Sequence, residues 1–115
     1  MHATPDTLTV LWTTSDREVA LSMVFMYTLN AKLKGWWQHV TLIVWGPSSK
    51  LLSVDTELQE YVASMKDAGI RLLACRRCAE MFGVADRLEA LGLEVKYMGE
   101  PLTELLKRNT TLLTF

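Results

Sequence analysis

The chain has 115 residues, the size of a single domain with a hydrophobic core of its own. Hydrophobic residues make up 50% of the chain and charged residues 22%, which are ordinary values for a globular protein. Twelve basic residues nearly balance thirteen acidic ones, and a net charge of −1 gives no reason to expect nucleic acid or an anionic membrane as a partner.

The first residues, MHATPDTLTVLWTT, lack the basic segment and the long apolar core of a secretory signal. The other apolar stretches are interrupted before they reach membrane-spanning length. We therefore expect a cytoplasmic protein without membrane insertion. In the cytoplasm, two cysteines indicate catalysis, redox chemistry or metal binding more often than a structural disulfide.

The first predicted strand, LTVLW, is followed by a long helical segment that is unusually apolar. Ser15 is predicted to cap this helix, with Glu18 as its partner in a capping box, and Gly35 to end it. The apolar residues of EVALSMVFMYTLNAKLK occupy more than one helical stripe. We therefore expect this helix to be buried on more than one side, either by its own fold or by another subunit.

The rest of the chain alternates between apolar runs and helical periodicity. VTLIVW is nearly continuous, as in parallel strands covered on both faces. Further strands are predicted at 70–74, 94–98 and 110–115, and GPSSK is predicted to be a loop. Helices are expected from about Ser53 or Asp55 to Gly69, before Gly83, between Val84 and Gly92, and from Pro101. This alternation predicts an α/β fold with a parallel sheet and helices on both faces.

The segment RLLACRRCAEMFGV contains both cysteines. Cys75 is expected at the carboxyl end of the third strand, where α/β sheets bind ligands, and a helix is expected to begin just after it. The helix N-terminus, Arg76 and Arg77 would together lower the pKa of the thiol and favour the reactive thiolate. A persulfide on Cys75 is also an anion, so the same surroundings would stabilise it.

Cys78 lies about one helical turn after Cys75, so it is a candidate resolving thiol. Two alternatives stay open, a pair of space-filling core cysteines and a thioredoxin-type dithiol. A structural zinc site needs four ligands, and beyond the thiols the chain offers only His2 and His39. We therefore predict neither a metal nor a cofactor.

Four segments of the chain resemble the DsrE/DsrF-like family, a group that includes the sulfur-relay subunit TusD and the small YchN-type proteins. They cover nearly the whole chain: TTSDREVALSMVFMYTLNAKLKGW, VTLIVWGPSSKLL, GIRLLACRRCAEMFGV and LEALGLEVKYMGEPLTELLK. The most informative match is a cysteine eight residues before Gly-Val, here Cys75 before Gly83 and Val84.

The resemblance implies one DsrE-like domain over residues 1–115, a three-layer α/β/α sandwich with a mainly parallel sheet of about five strands. It implies that Cys75 accepts sulfane sulfur as a persulfide, and the C-x-x-C of some YchN-like relatives extends the site to Cys78. It also implies homotrimers or homohexamers, which fits the wide apolar surface of the first helix, and proteins that donate and accept sulfur.

Three functions follow as hypotheses. The first is a small cytoplasmic sulfur carrier or sulfurtransferase-like protein, in which Arg76 and Arg77 stabilise the persulfide of Cys75 and Cys78 resolves it. The second is a non-catalytic, oligomeric interaction subunit with inert cysteines. The third is a C-x-x-C dithiol redox protein.

Overall fold

The fold is built around one parallel sheet. A computed structural model describes residues 6–108 and 110–115 of the chain. The five strands lie in the order β4-β3-β2-β1-β5, and each neighbouring pair is parallel. The strands are β1 (Thr7–Trp12), β2 (His39–Val44), β3 (Arg71–Cys75), β4 (Glu94–Lys96) and β5 (Thr111–Thr114).

Helices connect each strand to the next, as parallel neighbours require. Between β1 and β2, a short α-helix continues into a π-helical segment (Ala20–Phe25) and then into a second α-helix. The α-helices are α1 (Arg17–Val19), α2 (Met26–Leu33), α3 (Pro47–Val54), α4 (Thr56–Asp67), α5 (Arg76–Phe82), α6 (Ala85–Ala90) and α7 (Gly99–Lys107).

The first face of the sheet carries the main hydrophobic core. The connections from β1 to β4 all step in one direction, and right-handed crossovers place their helices on this face. The buried strand residues of this core alternate along the chain, as the period of a strand requires. They are Leu8, Val10, Trp12, Val40, Leu42, Val44, Leu72, Ala74 and Val95.

The second face of the sheet carries a smaller core. The connection from β4 back to β5 steps in the opposite direction and therefore places α7 on this face. The buried members of this core are Ile43, Leu73, Cys75 and Met98. Leu102 and Leu105 of α7 pack against it half-buried, and every residue of α7 keeps some exposure to solvent. The second face therefore has a thin cover.

The expected α/β/α sandwich with five parallel strands is confirmed. Apolar runs alternating with helical periodicity are enough to predict it, since parallel strands need a crossover of a dozen or more residues. The helix after the cysteine segment also ends where predicted, at Gly83, whose φ of 68° places it in the left-handed conformation that suits glycine.

The predicted start of the first helix is wrong by one residue. The side chain of Asp16, rather than that of Ser15, accepts hydrogen bonds from the backbone N–H groups of Glu18 and Val19. Both residue types are good caps, and a carboxylate has the added advantage of a charge that complements the helix dipole. The expected capping box between Ser15 and Glu18 is therefore replaced by a cap from Asp16.

Two other boundaries also differ from prediction. GPSSK is not a loop, because Pro47 begins α3, where its fixed φ and missing N–H are compatible with a first helical turn. The second helix does start beyond Asp55, which caps α4 through the N–H of Leu58. β4 is shorter than expected, since it ends at Lys96 and the following residues lead into α7.

Candidate thiol site

Cys75 lies at the junction between a strand and a helix. It is the last residue of β3 and the residue that precedes the first turn of α5. Its side chain points to the second face of the sheet, where it packs with Ile43, Leu73 and Met98. The residue is only 4% exposed. The predicted position at a strand end is correct, but the thiol is enclosed by hydrocarbon.

Cys78 lies in the first turn of α5 and packs against the small core that contains Cys75. The residue before a helix and the third residue of that helix bring their side chains together, which is also the basis of the capping box. Cys78 is half-buried. The structure thus brings the two predicted thiols together.

The surroundings of Cys78 favour its protonated form. Burial is the main cause that raises the pKa of this thiol, and the neighbouring Cys75 raises it further. The backbone N–H of Gly46 acts in the opposite direction. Gly46 follows β2, so the carboxyl ends of two neighbouring strands meet at the thiol pair.

The two arginines do not surround the thiols. The guanidinium of Arg76 donates to the backbone carbonyl of Val95 at 2.8 Å and lies 3.3 Å from the carboxylate of Glu89. Arg77 is exposed. Among the residues that the structure describes, no hydrogen bond joins either guanidinium to a cysteine sulfur. Their predicted role toward a persulfide stays a prediction.

A basic residue that the sequence interpretation missed lies beside Cys75. Lys96 of β4 is the register partner of Cys75, so both side chains project from the second face of the sheet. The ammonium of Lys96 lies 3.2 Å from the carboxylate of Glu94. Strand pairing cannot be read from one sequence. The alternation of residues within the fourth strand indicates only that Lys96 and Val95 project from opposite faces of the sheet.

The histidines lie away from the thiol pair or outside the described residues. His39 begins β2 and is exposed at the amino end of the sheet, opposite the carboxyl end that holds the thiols. His2 lies outside the described residues. Within residues 6–108 and 110–115, no group of three or more His, Cys, Asp or Glu side chains is arranged to hold a metal ion.

The helices in the described residues also lack the combination of length and apolar character that a membrane span requires.

Fold and site together define a small α/β/α protein with a C-x-x-C thiol pair at the carboxyl end of its third strand. No protein-family model and no curated protein matches the chain. The structure of BT1422 from Bacteroides thetaiotaomicron, a conserved protein of unknown function, is 44% identical in sequence with a TM-score of 0.95. The match covers 99% of this chain and 100% of that one, so the chain belongs to the same family as BT1422.

A second solved structure shares the fold at a much lower sequence identity. The ychN protein from E. coli matches with a TM-score of 0.76 and 11% identity, over 95% of this chain and 98% of that one. The fold is therefore that of YchN, as the resemblance of the four segments to the DsrE/DsrF-like family implied.

Proposed function

We propose that this chain is a small DsrE/YchN-like sulfur carrier in which Cys75 and Cys78 act as a pair. The observation that carries the proposal is the contact between the two thiols at the carboxyl end of the sheet. The YchN fold and the spacing of Cys75 to Gly83 and Val84 support it.

The different exposure of the two thiols suggests an order of events. Cys78 is more exposed than Cys75, so its thiolate meets the donor first. It attacks the terminal sulfur of a donor persulfide, the donor S–S bond breaks, and the donor leaves as a thiolate with the bonding electron pair. Cys75 then attacks the same sulfur, and Cys78 leaves as a thiolate that takes up the proton released by Cys75.

The surroundings of Cys75 suit storage of the transferred sulfur. Ile43, Leu73 and Met98 shield it from water and from other thiols. Arg76 and Arg77 are proposed to help when the persulfide is an anion. For Arg76 this requires release from the carbonyl of Val95 at 2.8 Å and from the carboxylate of Glu89 at 3.3 Å. The ion pair contributes only about 0–1 kcal/mol, whereas the hydrogen bond of a charged group contributes about 1.5–3 kcal/mol, so the charge of the persulfide has to compensate for both.

We also propose that the protein acts in the cytoplasm as a homotrimer or homohexamer and exchanges sulfur with donor and acceptor proteins. An apolar groove of about 440 Å³ beside β5 supports self-association. The groove lies between the first helical segment and β5, which is an edge strand of the sheet. Its lining is formed by Ser22, Met23, Met26, Tyr27, Asn30, Trp36, Leu113 and Phe115.

A sulfur-loading experiment tests the carrier. Reduced protein is incubated with polysulfide and weighed intact, with Cys75→Ser, Cys78→Ser and the double variant as matched controls. The wild type is expected to gain one sulfur atom on Cys75. Cys78→Ser should load more slowly, Cys75→Ser should lose its sulfur rapidly to added thiol, and the double variant should not load. Loading of Cys75→Ser that is as stable as in the wild type would contradict the proposal.

The burial of Cys75 favours a second candidate, the non-catalytic oligomeric subunit. A buried thiol next to one whose pKa is raised is a weak nucleophile at neutral pH. In the same experiment, this candidate predicts no gain of sulfur and slow alkylation of both cysteines. If the intact mass instead falls by two hydrogens because a Cys75–Cys78 disulfide forms, and no sulfur is gained, the result would favour the dithiol redox protein.

A further inference from the structure

A small basic cavity lies between the sheet and α7, next to the core that contains Cys75. Its volume is about 180 Å³, and its walls come from β3, β4, α7 and the residue after α7. The lining residues are Arg71, Leu73, Lys96, Pro101, Glu104, Leu105 and Arg108. At about 30 Å³ for one water molecule, this volume has room for a small polyatomic ion.

The charges around the cavity are unequal and loosely paired. Three cationic side chains, those of Arg71, Lys96 and Arg108, share two carboxylates, those of Glu94 and Glu104. The distances between their charged atoms run from 3.2 to 3.9 Å, and all five side chains are more than a third exposed. Exposed pairs of this kind are weak, so an incoming anion can compete for the cations.

The pKa of Glu94 reports the same excess of positive charge. The hydrogen bond from Lys96 is the main cause that lowers the pKa of this carboxyl, and the charges of Lys96 and Arg71 act in the same direction. A negative charge is therefore stabilised at this edge of the sheet. Arginine forks and lysine ammonium groups are also the usual ligands of oxyanions.

The cavity adjoins the buried thiol. Leu73 and Leu105 line it and also pack in the small core with Cys75. Lys96 pairs in register with Cys75 on the neighbouring strand, and neighbouring strands lie about 4.8 Å apart. Cys75 itself does not line the cavity, so an anion held by Lys96 reaches the thiol only when α7 moves aside.

We propose that this cavity binds a small sulfur oxyanion that carries a sulfane sulfur, of which thiosulfate is the simplest, as a sulfur donor to Cys75. The transfer step rests on the proposed carrier function, whereas binding does not. On this route the sulfur does not pass through Cys78. The thiol of Cys75 attacks the sulfane sulfur as it loses its proton, the bond between the two sulfur atoms of thiosulfate breaks, and sulfite leaves with the electron pair. The thiol proton goes to the released sulfite.

Calorimetric titration with thiosulfate, and with sulfate as an unreactive analogue, tests the site. Lys96→Met and Arg71→Ala are each expected to weaken binding of both anions about tenfold, since each removes a charged hydrogen-bond donor. Glu104→Gln should tighten binding, because it removes a competing carboxylate, and this gain cannot arise from misfolding. Lys34→Ala removes an exposed cation outside the cavity, so this variant is the matched control and should bind as the wild type does.

The possible results separate this proposal from the carrier function. The cavity would not be the binding site if the affinity for thiosulfate were unchanged in Lys96→Met and Glu104→Gln. The same conclusion would follow if thiosulfate did not bind at millimolar concentration. If polysulfide still loads Cys75, the carrier function survives that failure. If thiosulfate binds with the expected variant pattern but only polysulfide loads Cys75, the donor role of thiosulfate is overturned and the carrier function stands. If neither donor loads Cys75, the carrier function fails as well.

Discussion

Cys75, the last residue of β3, and Cys78, in the first turn of α5, share the small core on the second face of the sheet. The last residue of the strand and the third residue of the helix therefore form a pair in which Cys75 raises the pKa of Cys78. Removal of the Cys75 thiol should alter the reactivity of Cys78.

Alkylation of Cys78 is expected to be slow at neutral pH. Burial and the neighbouring Cys75 raise its pKa, so a smaller fraction is thiolate than in a free cysteine. The rate of reaction with iodoacetamide should therefore rise into the alkaline range, above the pH at which a free thiol ionises. Cys75→Ala removes the neighbouring thiol and should shift this profile to lower pH. A profile at the position of free cysteine in the wild type would contradict the environment described for Cys78.

Access to Cys75 is expected to depend on α7. Leu105 packs half-buried over the core that contains Cys75, and helices with few buried contacts open at low free-energy cost. Leu105→Ala should therefore increase the alkylation rate of Cys75 several-fold, measured by peptide mass after timed quenching. Leu106→Ala is the matched control, since Leu106 lies on the same helix and is 50% exposed. Equal rates in the two variants would show that the thiol is reached by another route.

The sheet and the thiol pair could be predicted from sequence because they depend on local patterns. Apolar runs of strand length gave β1, β2 and β3, and the position of Cys75 after such a run placed it at a carboxyl end. The charges could not be placed in this way. Arg76 is adjacent to Cys75 in sequence, yet its guanidinium reaches Val95 on the neighbouring strand. Lys96, distant in sequence, is the register partner of Cys75.

The order of the strands also explains why the sequence left open whether Cys75 is exposed or buried in the core. Whether a residue at a strand end faces solvent or a covering helix depends on where the return connection crosses the sheet. Here the connection from β4 to β5 places α7 over the second face, where Cys75 lies. A single sequence contains no direct information on that crossing, because it depends on pairing between distant segments.

Self-association is expected to use the groove beside β5. Met26 and Trp36 are 59% and 54% exposed there, and exposed apolar patches of this kind mark interaction surfaces. Light scattering should give a trimer or hexamer for the wild type. Met26→Glu places a charge in the groove and should shift the protein to monomers, whereas Leu106→Glu on the opposite side of the sheet should not. A monomeric wild type, or an oligomer that tolerates Met26→Glu, would contradict this assignment.

Gly46 is expected to couple stability to thiol chemistry. Its φ of 76° and ψ of −141° lie in a region that glycine tolerates and other residues do not, although a Cβ there would meet no atom within 4 Å. Gly46→Ala should therefore lower the free energy of unfolding through backbone strain, by about 1–3 kcal/mol. Gly99→Ala also meets no atom within 4 Å and has no positive φ, so it should have little effect in the same urea titration.

The same substitution is expected to change the reactivity of Cys78. Because the N–H of Gly46 lowers the pKa of Cys78, a shifted backbone in Gly46→Ala should slow alkylation of Cys78 at neutral pH. Loss of stability with no change in that rate would show that this N–H does not act on the thiol.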